Sequence, residues 1–376
     1  YNFWKDANQP RGLWRRTTLA EYRKAEPAWE TVLDLDALGA TEKENWVWHG
    51  ATCLAPDYRR CMVSLSRGGA DATVVREFDA QTKRFIDPKD GGFVLPEAKS
   101  DVSWLNADTL LVASDFGPGS LTDSGYARII KRWQRGQPLA QATTVYEGEA
   151  KDVAAWASVD LTPGFERTMV GRSTDFYNSE MFLLIDGKTQ RIDKPSDASV
   201  AFWYEHVLVQ LRSDWKIGKA THRAGSLLTM PAAAYLQGER NFTTLFAPTA
   251  SRSLDAYTTT RSHVLLTVLD NVAGRIVAWQ APSVGRGWTQ REMAAPNPGS
   301  AGTLSVGSWA DSNLKSDSHA ETYTVNYTDF LTPDSYLLGR TDTAVFETLK
   351  RRPAQFDAGG MKVEQHFAKS KDGTRV

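Results

Sequence analysis

A short pattern recurs where apolar runs end: serine or threonine, then aspartate, then an aromatic ring. It stands as Ser114-Asp115-Phe116, Thr174-Asp175-Phe176, Ser213-Asp214-Trp215 and Thr328-Asp329-Phe330. Leu269-Asp270 keeps the aspartate and lacks the ring. An aspartate placed after a strand can accept from backbone N–H groups two residues on and so fix a turn. The ring behind it can fill the wedge between neighbouring structural units. The same tips can also line one face of the fold, where a substrate or partner passes, because binding groups concentrate on loops held by a rigid scaffold.

Most other catalytic chemistry is missing. An α/β-hydrolase needs a G-x-S-x-G nucleophile elbow, and none occurs. The nearest strings, "NPGSAGT" and "GPGSLTDSG", are turn clusters, so neither Ser300 nor Ser120 reads as a nucleophile. The six histidines, at 49, 206, 222, 263, 319 and 366, show no metal-ligand spacing. No phosphate-binding G-x-x-x-x-G-K-[ST] loop is present. No metal and no cofactor is therefore expected. Cys53 and Cys61 flank "LAPDYRR", which reads as a turn between two short strands. They can be two small apolar residues in a sheet or a cross-strand disulfide made in an oxidising compartment. The 13 tryptophans and 12 tyrosines could stack on carbohydrate or peptide, or pack between units.

The elements that carry these residues are strands. Runs of five to eight residues rich in Val, Leu, Thr, Trp and Tyr alternate with Pro-Gly, Asp-Gly-Lys and Pro-Asp turns, as in "DTLLVASD", "EMFLLIDGKTQRID" and "HVLLTVLDN". One helical candidate, 342–352, reads equally as strand and loop. The recurring aspartates are 60, 39 and then roughly 55–60 residues apart. Units of that length hold about four strands each, and such units arranged radially make a β-propeller. Seven are counted: 1–40, 45–90, 98–150, 152–195, 197–248, 252–296 and 302–356. A two-sheet sandwich leaves seven similar units unexplained. The expected fold is all-β, a seven-bladed propeller of four-stranded antiparallel blades, spanning 1–360 and without a strand that clasps first blade to last.

The chain has 376 residues, a net charge of -1, 41% hydrophobic and 24% charged residues. Near-zero charge argues against a nucleic-acid partner. No apolar run reaches the roughly 18 residues of a membrane span. The sequence opens at Tyr1 and stops after a Lys-Asp-Gly turn, and both ends read as cuts in a longer protein.

The closing "VEQHFAKSKDGTRV", with Ser370, Lys371, Asp372, Gly373 and Thr374, resembles the segment of prolyl oligopeptidases where the propeller returns the chain to the peptidase domain. "YTVNYTDFLTPDSYLLGRTDT" resembles that family's last blade, and "YNFWKDANQPRGLWRRTTLAEY" its lead-in to the first. The resemblance implies a bacterial prolyl-endopeptidase-like serine peptidase. Residues 361–376 become a junction into an α/β-hydrolase domain that carries the catalytic Ser, Asp and His, so no catalytic residue falls on this chain. The propeller would then gate access for short proline-containing peptides and lend a few side chains to distal subsites. Arg172 sits where the family has such an arginine, with Asp175 and Phe176 just after it. Its planar fork suits a peptide carbonyl or carboxylate, while the charge of Asp175 argues against an apolar subsite. The implied partners are the hydrolase domain and peptides, in a monomeric protein of the cytoplasm or the bacterial periplasm. Two other readings stand beside this one: a free-standing propeller scaffold for protein interactions, and a propeller enzyme with a channel metal such as Ca²⁺.

Overall fold

The computed structural model of the chain describes residues 1–297, 300–343 and 345–375. The chain is nearly all β, and its antiparallel sheets follow one another along the sequence as the seven blades of a propeller. Residues up to Asp197 form one compact unit with four blades, and a second unit from Ala198 carries three.

In the first unit, the first blade has three strands, Asn2–Trp4, Leu13–Arg16 and Glu30–Asp34. The second runs Trp46–Cys53, Arg60–Arg67, Thr73–Asp79 and Arg84–Phe85, and Val94–Ala98 also pairs with its third strand. The third and fourth blades are four-stranded meanders over residues 101–147 and 154–191. In the second unit, the fifth blade occupies residues 199–246 with an extra hairpin, Trp215–Ile217 with Ala220–His222, between its second and third strands. The sixth and seventh blades are four-stranded over 252–292 and 302–351. Each sheet takes its strands from one continuous stretch of chain, so among the described residues no strand clasps one blade to another. The helical candidate ends as the strand Glu347–Arg351; Ala344, which it includes, lies outside the described residues.

The packing follows from the period of two along each strand. In Arg60–Arg67, Cys61, Val63 and Leu65 face Trp14, Val32 and Leu35 of the first blade. Met62 points the other way, toward Trp104, Leu110 and Val112 of the third. The next strand repeats the division: Leu111 and Ala113 join Ala155 and Val170 of the fourth blade. In the second unit, Val264, Leu266 and Val268 pack on the fifth blade and Leu265 on Tyr323, Val325 and Leu337 of the seventh. Strands buried on both faces read as unbroken apolar runs, which is why "HVLLTVL" shows no alternation. Each such aliphatic side chain contributes about 1.5–3 kcal/mol on burial.

Two stretches of the first expected unit, the second running just past its end, form short helices. Thr18 accepts from Glu21 N–H and caps the turn Leu19–Tyr22, and Asp34 accepts from Ala37 N–H to start Leu35–Glu42. Cys53 and Cys61 are directly opposite in register and are joined as a disulfide. No helix among the described residues is long and apolar enough to cross a membrane.

Candidate functional site

Every Asp-aromatic tip follows the second strand of its blade. The aspartates fix turns. Asp115 Oδ1 accepts from Gly117 N–H at 2.8 Å and from Ser120 Oγ at 3.0 Å. Ser120 is thereby committed to its own loop, donating to Gly117 O as well. Asp175 Oδ1 accepts from the N–H groups of Tyr177 at 2.7 Å and Asn178 at 2.8 Å, and the Asn178 amide closes on both its oxygens. These bonds hold the Asp175 carboxyl below its ordinary range. Asp214 accepts from Ala224 N–H. Asp329 accepts from Leu331 and Thr332 N–H, and its other oxygen takes Tyr327 OH at 2.6 Å and Asn297 Nδ2 at 2.7 Å.

The aromatic rings divide into two groups. Phe116 packs at the margin of the third blade's core with Lys131 Nζ 4.5 Å from its centroid, and Trp215 lies against Phe242. Phe176 and Phe330 instead stand 90% and 72% exposed, and Tyr177 is 70% exposed. The wedge-filling role therefore fails for Phe176 and Phe330. The turn is locked by the aspartate together with the preceding threonine, whose hydroxyl donates to Asn178 O in one tip and to Thr332 O in the other, and the rings it carries project into solvent.

Arg172 lies on the strand Arg167–Ser173, opposite Ala155 on one side and Glu180 on the other. Its Nη1 is 2.6 Å from Glu149 Oε1 and 3.4 Å from Asp152 Oδ2, and its Nε donates to Glu180 Oε2 at 2.9 Å. Arg191 pairs with the other oxygen of Glu180. The bond to Glu149, followed by that to Glu180, raises the guanidinium further above its ordinary value. Arg172 is thus engaged in tying the loop after the third blade to the hairpin of the fourth, and it is not a vacant fork for a peptide carboxylate. The adjoining Tyr146 hydroxyl is pushed up to about 12 by burial. Glu180 was readable from sequence as the hairpin neighbour of Arg172. Glu149 and Asp152, 20 and more residues away, were not.

The structure brings Arg172 and the Asp175–Phe176 turn to the same end of one blade: the arginine as part of an ion cluster, the aspartate as a turn lock, the phenylalanine as an exposed contact. No group of three or more His, Cys, Asp or Glu among the described residues could hold a metal ion.

The family model described as "Prolyl oligopeptidase, N-terminal beta-propeller domain" matches residues 1–351. An uncharacterized peptidase, y4nA, of Sinorhizobium fredii is 35% identical over the whole chain, which covers 51% of that protein. A second uncharacterized peptidase, from Rickettsia prowazekii, is 28% identical, with 52% of its length covered. The chain spans about half the length of the curated relatives it matches. Among solved structures, a post-proline cleaving enzyme from Rickettsia typhi superposes over the whole chain with a TM-score of 0.86 at 26% identity, and 55% of that enzyme is covered. Oligopeptidase B from Leishmania major shares the fold at a TM-score of 0.69 and 14% identity, over 98% of this chain and 49% of its own.

Proposed function

Because the chain belongs to the prolyl oligopeptidase family, as its N-terminal β-propeller domain, we propose that it screens the peptides that reach a linked α/β-hydrolase domain. That domain carries a serine-type triad and cleaves after proline. The observation that carries this reading is the match over residues 1–351 by a chain that makes up only about half of each relative. The post-proline activity named for the Rickettsia typhi enzyme supports the substrate class.

In this reading the propeller holds no reacting group. It contributes exclusion, since a rigid scaffold of buried strands admits an extended peptide more readily than a folded protein. It also contributes distal contacts, chiefly the exposed rings of Phe176 and Tyr177, which Asp175 and the Arg172 cluster hold in place. Residues 361–376 serve as the junction. Their Ser370–Thr374 turn, where Ser370 N–H donates to Thr374 O at 2.8 Å and Asp372 accepts from Thr374 N–H, gives the chain a fixed reversal after the last blade; Val376 itself lies outside the described residues. The protein acts as a monomer.

The test compares the full polypeptide with residues 1–376 on a proline-containing reporter peptide, on its alanine counterpart, and on a folded protein displaying the same site. The full polypeptide should cut only the short proline peptide, and residues 1–376 should cut nothing. Cleavage by residues 1–376, or equal rates on the folded protein, would overturn the proposal.

A further inference from the structure

Among the described residues, the fifth blade alone carries a hairpin between its second and third strands, Trp215–Ile217 with Ala220–His222. Trp215 and His222 are directly opposite, so their side chains share one face of the ribbon. Both rest on Phe242, with centroids 5.4 and 5.9 Å away, and Phe242 rests in turn on the buried Tyr235 at 6.0 Å. Alternation puts the next pair, Lys216 and Thr221, on the opposite face, and both are exposed. Lys219 stands in the turn and Arg223 just past the second strand, and these are exposed as well. Arg212 adds a fourth cation at the base, whereas Asp214 is the only carboxylate between Glu205 and Glu239. Lys216, Lys219 and Arg223 have no ion pair among the described residues. A chain of net charge -1 thus gathers positive charge on one anchored ribbon.

We propose that this hairpin docks the acidic part of a peptide substrate. The proposal rests on the reading of the chain as a screen for peptides and names the class of peptide it favours. Position supports it. The hairpin leaves its blade where the second strand, His206–Gln210, finishes. The corresponding ends of the sixth and seventh blades carry Asn271, Val272 and Phe330, which line one cavity with Val363 and Phe367 of the segment leading away from the last blade. The cations therefore stand at the end of this unit that the junction segment also occupies. Chemistry selects the occupant. The outward face offers lysine, arginine and threonine and no apolar side chain, and the cores of stable protein interfaces are poor in lysine. A transient, charged ligand fits that face better than a permanent partner. The near-zero net charge leaves no extended basic face for a nucleic-acid backbone. Peptide carboxylates match the ribbon in sign, and attraction to exposed cations acts at long range and is screened by salt.

The experiment uses the full polypeptide and two long labelled peptides, one with glutamates far from a central alanine and one with glutamines in their place. Binding is read by fluorescence anisotropy. At low salt the glutamate peptide should bind about tenfold more tightly, and the two should come together as salt screens the charges. In the triple variant Lys216→Gln, Lys219→Gln, Arg223→Gln, whose altered side chains are all exposed, the preference should vanish while the glutamine peptide binds as before. Equal binding by the parent overturns the proposal, as does a preference that survives in the triple variant. Weaker binding of both peptides by the variant also overturns it and assigns the cations to contact with the linked domain. So does a preference that changes with protein concentration, which assigns them to a second copy. Versions with proline in place of the central alanine read kcat/KM separately. A binding preference without cleavage after proline would fail the proposed activity and leave the acidic-peptide site standing, and cleavage without the preference would do the reverse.

Discussion

The wholly buried carboxylate of Glu77 takes both terminal nitrogens of Arg135: Oε2 accepts from Nη1 at 2.7 Å and Oε1 from Nη2 at 2.9 Å. This fork joins the second blade to the third across 58 residues of chain. Phe93 N–H and Arg60 Nη1 donate to the same carboxylate, and the guanidinium lies 4.4 Å from the Phe93 centroid. Every oxygen of a buried charge is thereby engaged, the condition under which such a pair is tolerated.

Removing one partner is costly because the other charge stays buried. Glu77→Ala is expected to lose about 3–5 kcal/mol, measured as a fall in the urea midpoint. Glu77→Gln, which keeps the shape but replaces one acceptor oxygen with an NH2 donor, should lose less than the alanine variant. A loss below about 1 kcal/mol for the alanine variant would show that Arg135 and Phe93 find other partners.

Gly171, next to Arg172, is fixed by space. A Cβ there would stand 2.4 Å from Trp156 Cζ2 and 2.5 Å from Glu180 O. Its neighbours are an indole and a backbone carbonyl, neither of which can step aside cheaply. Gly171→Ala is expected to cost about 1–3 kcal/mol through overpacking, and to disturb the Arg172–Glu180 pair along with it. A melting temperature unchanged from the parent would mean the fourth blade's hairpin can open to admit a methyl group.

Glu321 gives the second unit a defined acid response. Burial raises its carboxyl, but hydrogen bonds from His263, Ser262, Thr341 and Thr260 outweigh that and hold it at about 2. Thr260 Oγ1 and Thr341 Oγ1 donate at 2.8 and 2.7 Å, and His263 Nδ1 is 3.2 Å away. The folded value lies below the ordinary one. The stabilisation is therefore complete above about pH 4.5 and lost as pH falls toward 2, amounting to about 3 kcal/mol. Denaturant midpoints measured at pH 6 and pH 3 should separate for the parent and separate less for Glu321→Gln, because Asp329 of the same unit is also held below its ordinary range. An equal pH dependence in both would place the acid response on another carboxylate.

The blades were legible because each needs the same local grammar, a run that can be buried followed by a residue that can turn. The expected 252–296 and 302–356 begin where the observed sixth and seventh blades begin and overrun them only at the end, at Glu292 and Arg351. The helix Leu35–Glu42 was missed because "TVLDLDAL" alternates like a strand, and the deciding signal is one side chain, Asp34, bonding Ala37 N–H. Cys53 and Cys61 could not be resolved from spacing, since a paired and an unpaired cysteine occupy the same sheet position. At the candidate site the turn aspartates were read correctly, because an Asx turn is local. The fate of Arg172 was not, because Glu149 and Asp152 reach it only after two blades have packed. The exposure of Phe176 likewise depends on what the neighbouring blade does not cover.

That exposure makes the last prediction separable from folding. Truncating Phe176 and Tyr177 together to alanine removes rings that are already 90% and 70% in solvent. Stability should stay within about 0.5 kcal/mol of the parent. If the rings meet the distal part of a bound peptide, kcat/KM on a long proline peptide in the full polypeptide should fall about 5–30-fold, the equivalent of 1–2 kcal/mol, while a minimal reporter is cut at the parent rate. Asp175→Ala should give the same split less sharply. It leaves the rings in place but removes the acceptor that holds Tyr177 and Asn178 N–H, so the rings are present and no longer aimed. Asp175→Asn, which keeps an acceptor at Oδ1, should restore the long-peptide rate. An equal loss on long and minimal substrates would move the effect from peptide contact to the proposed hydrolase domain, and no loss on either would remove Phe176 from the substrate path altogether.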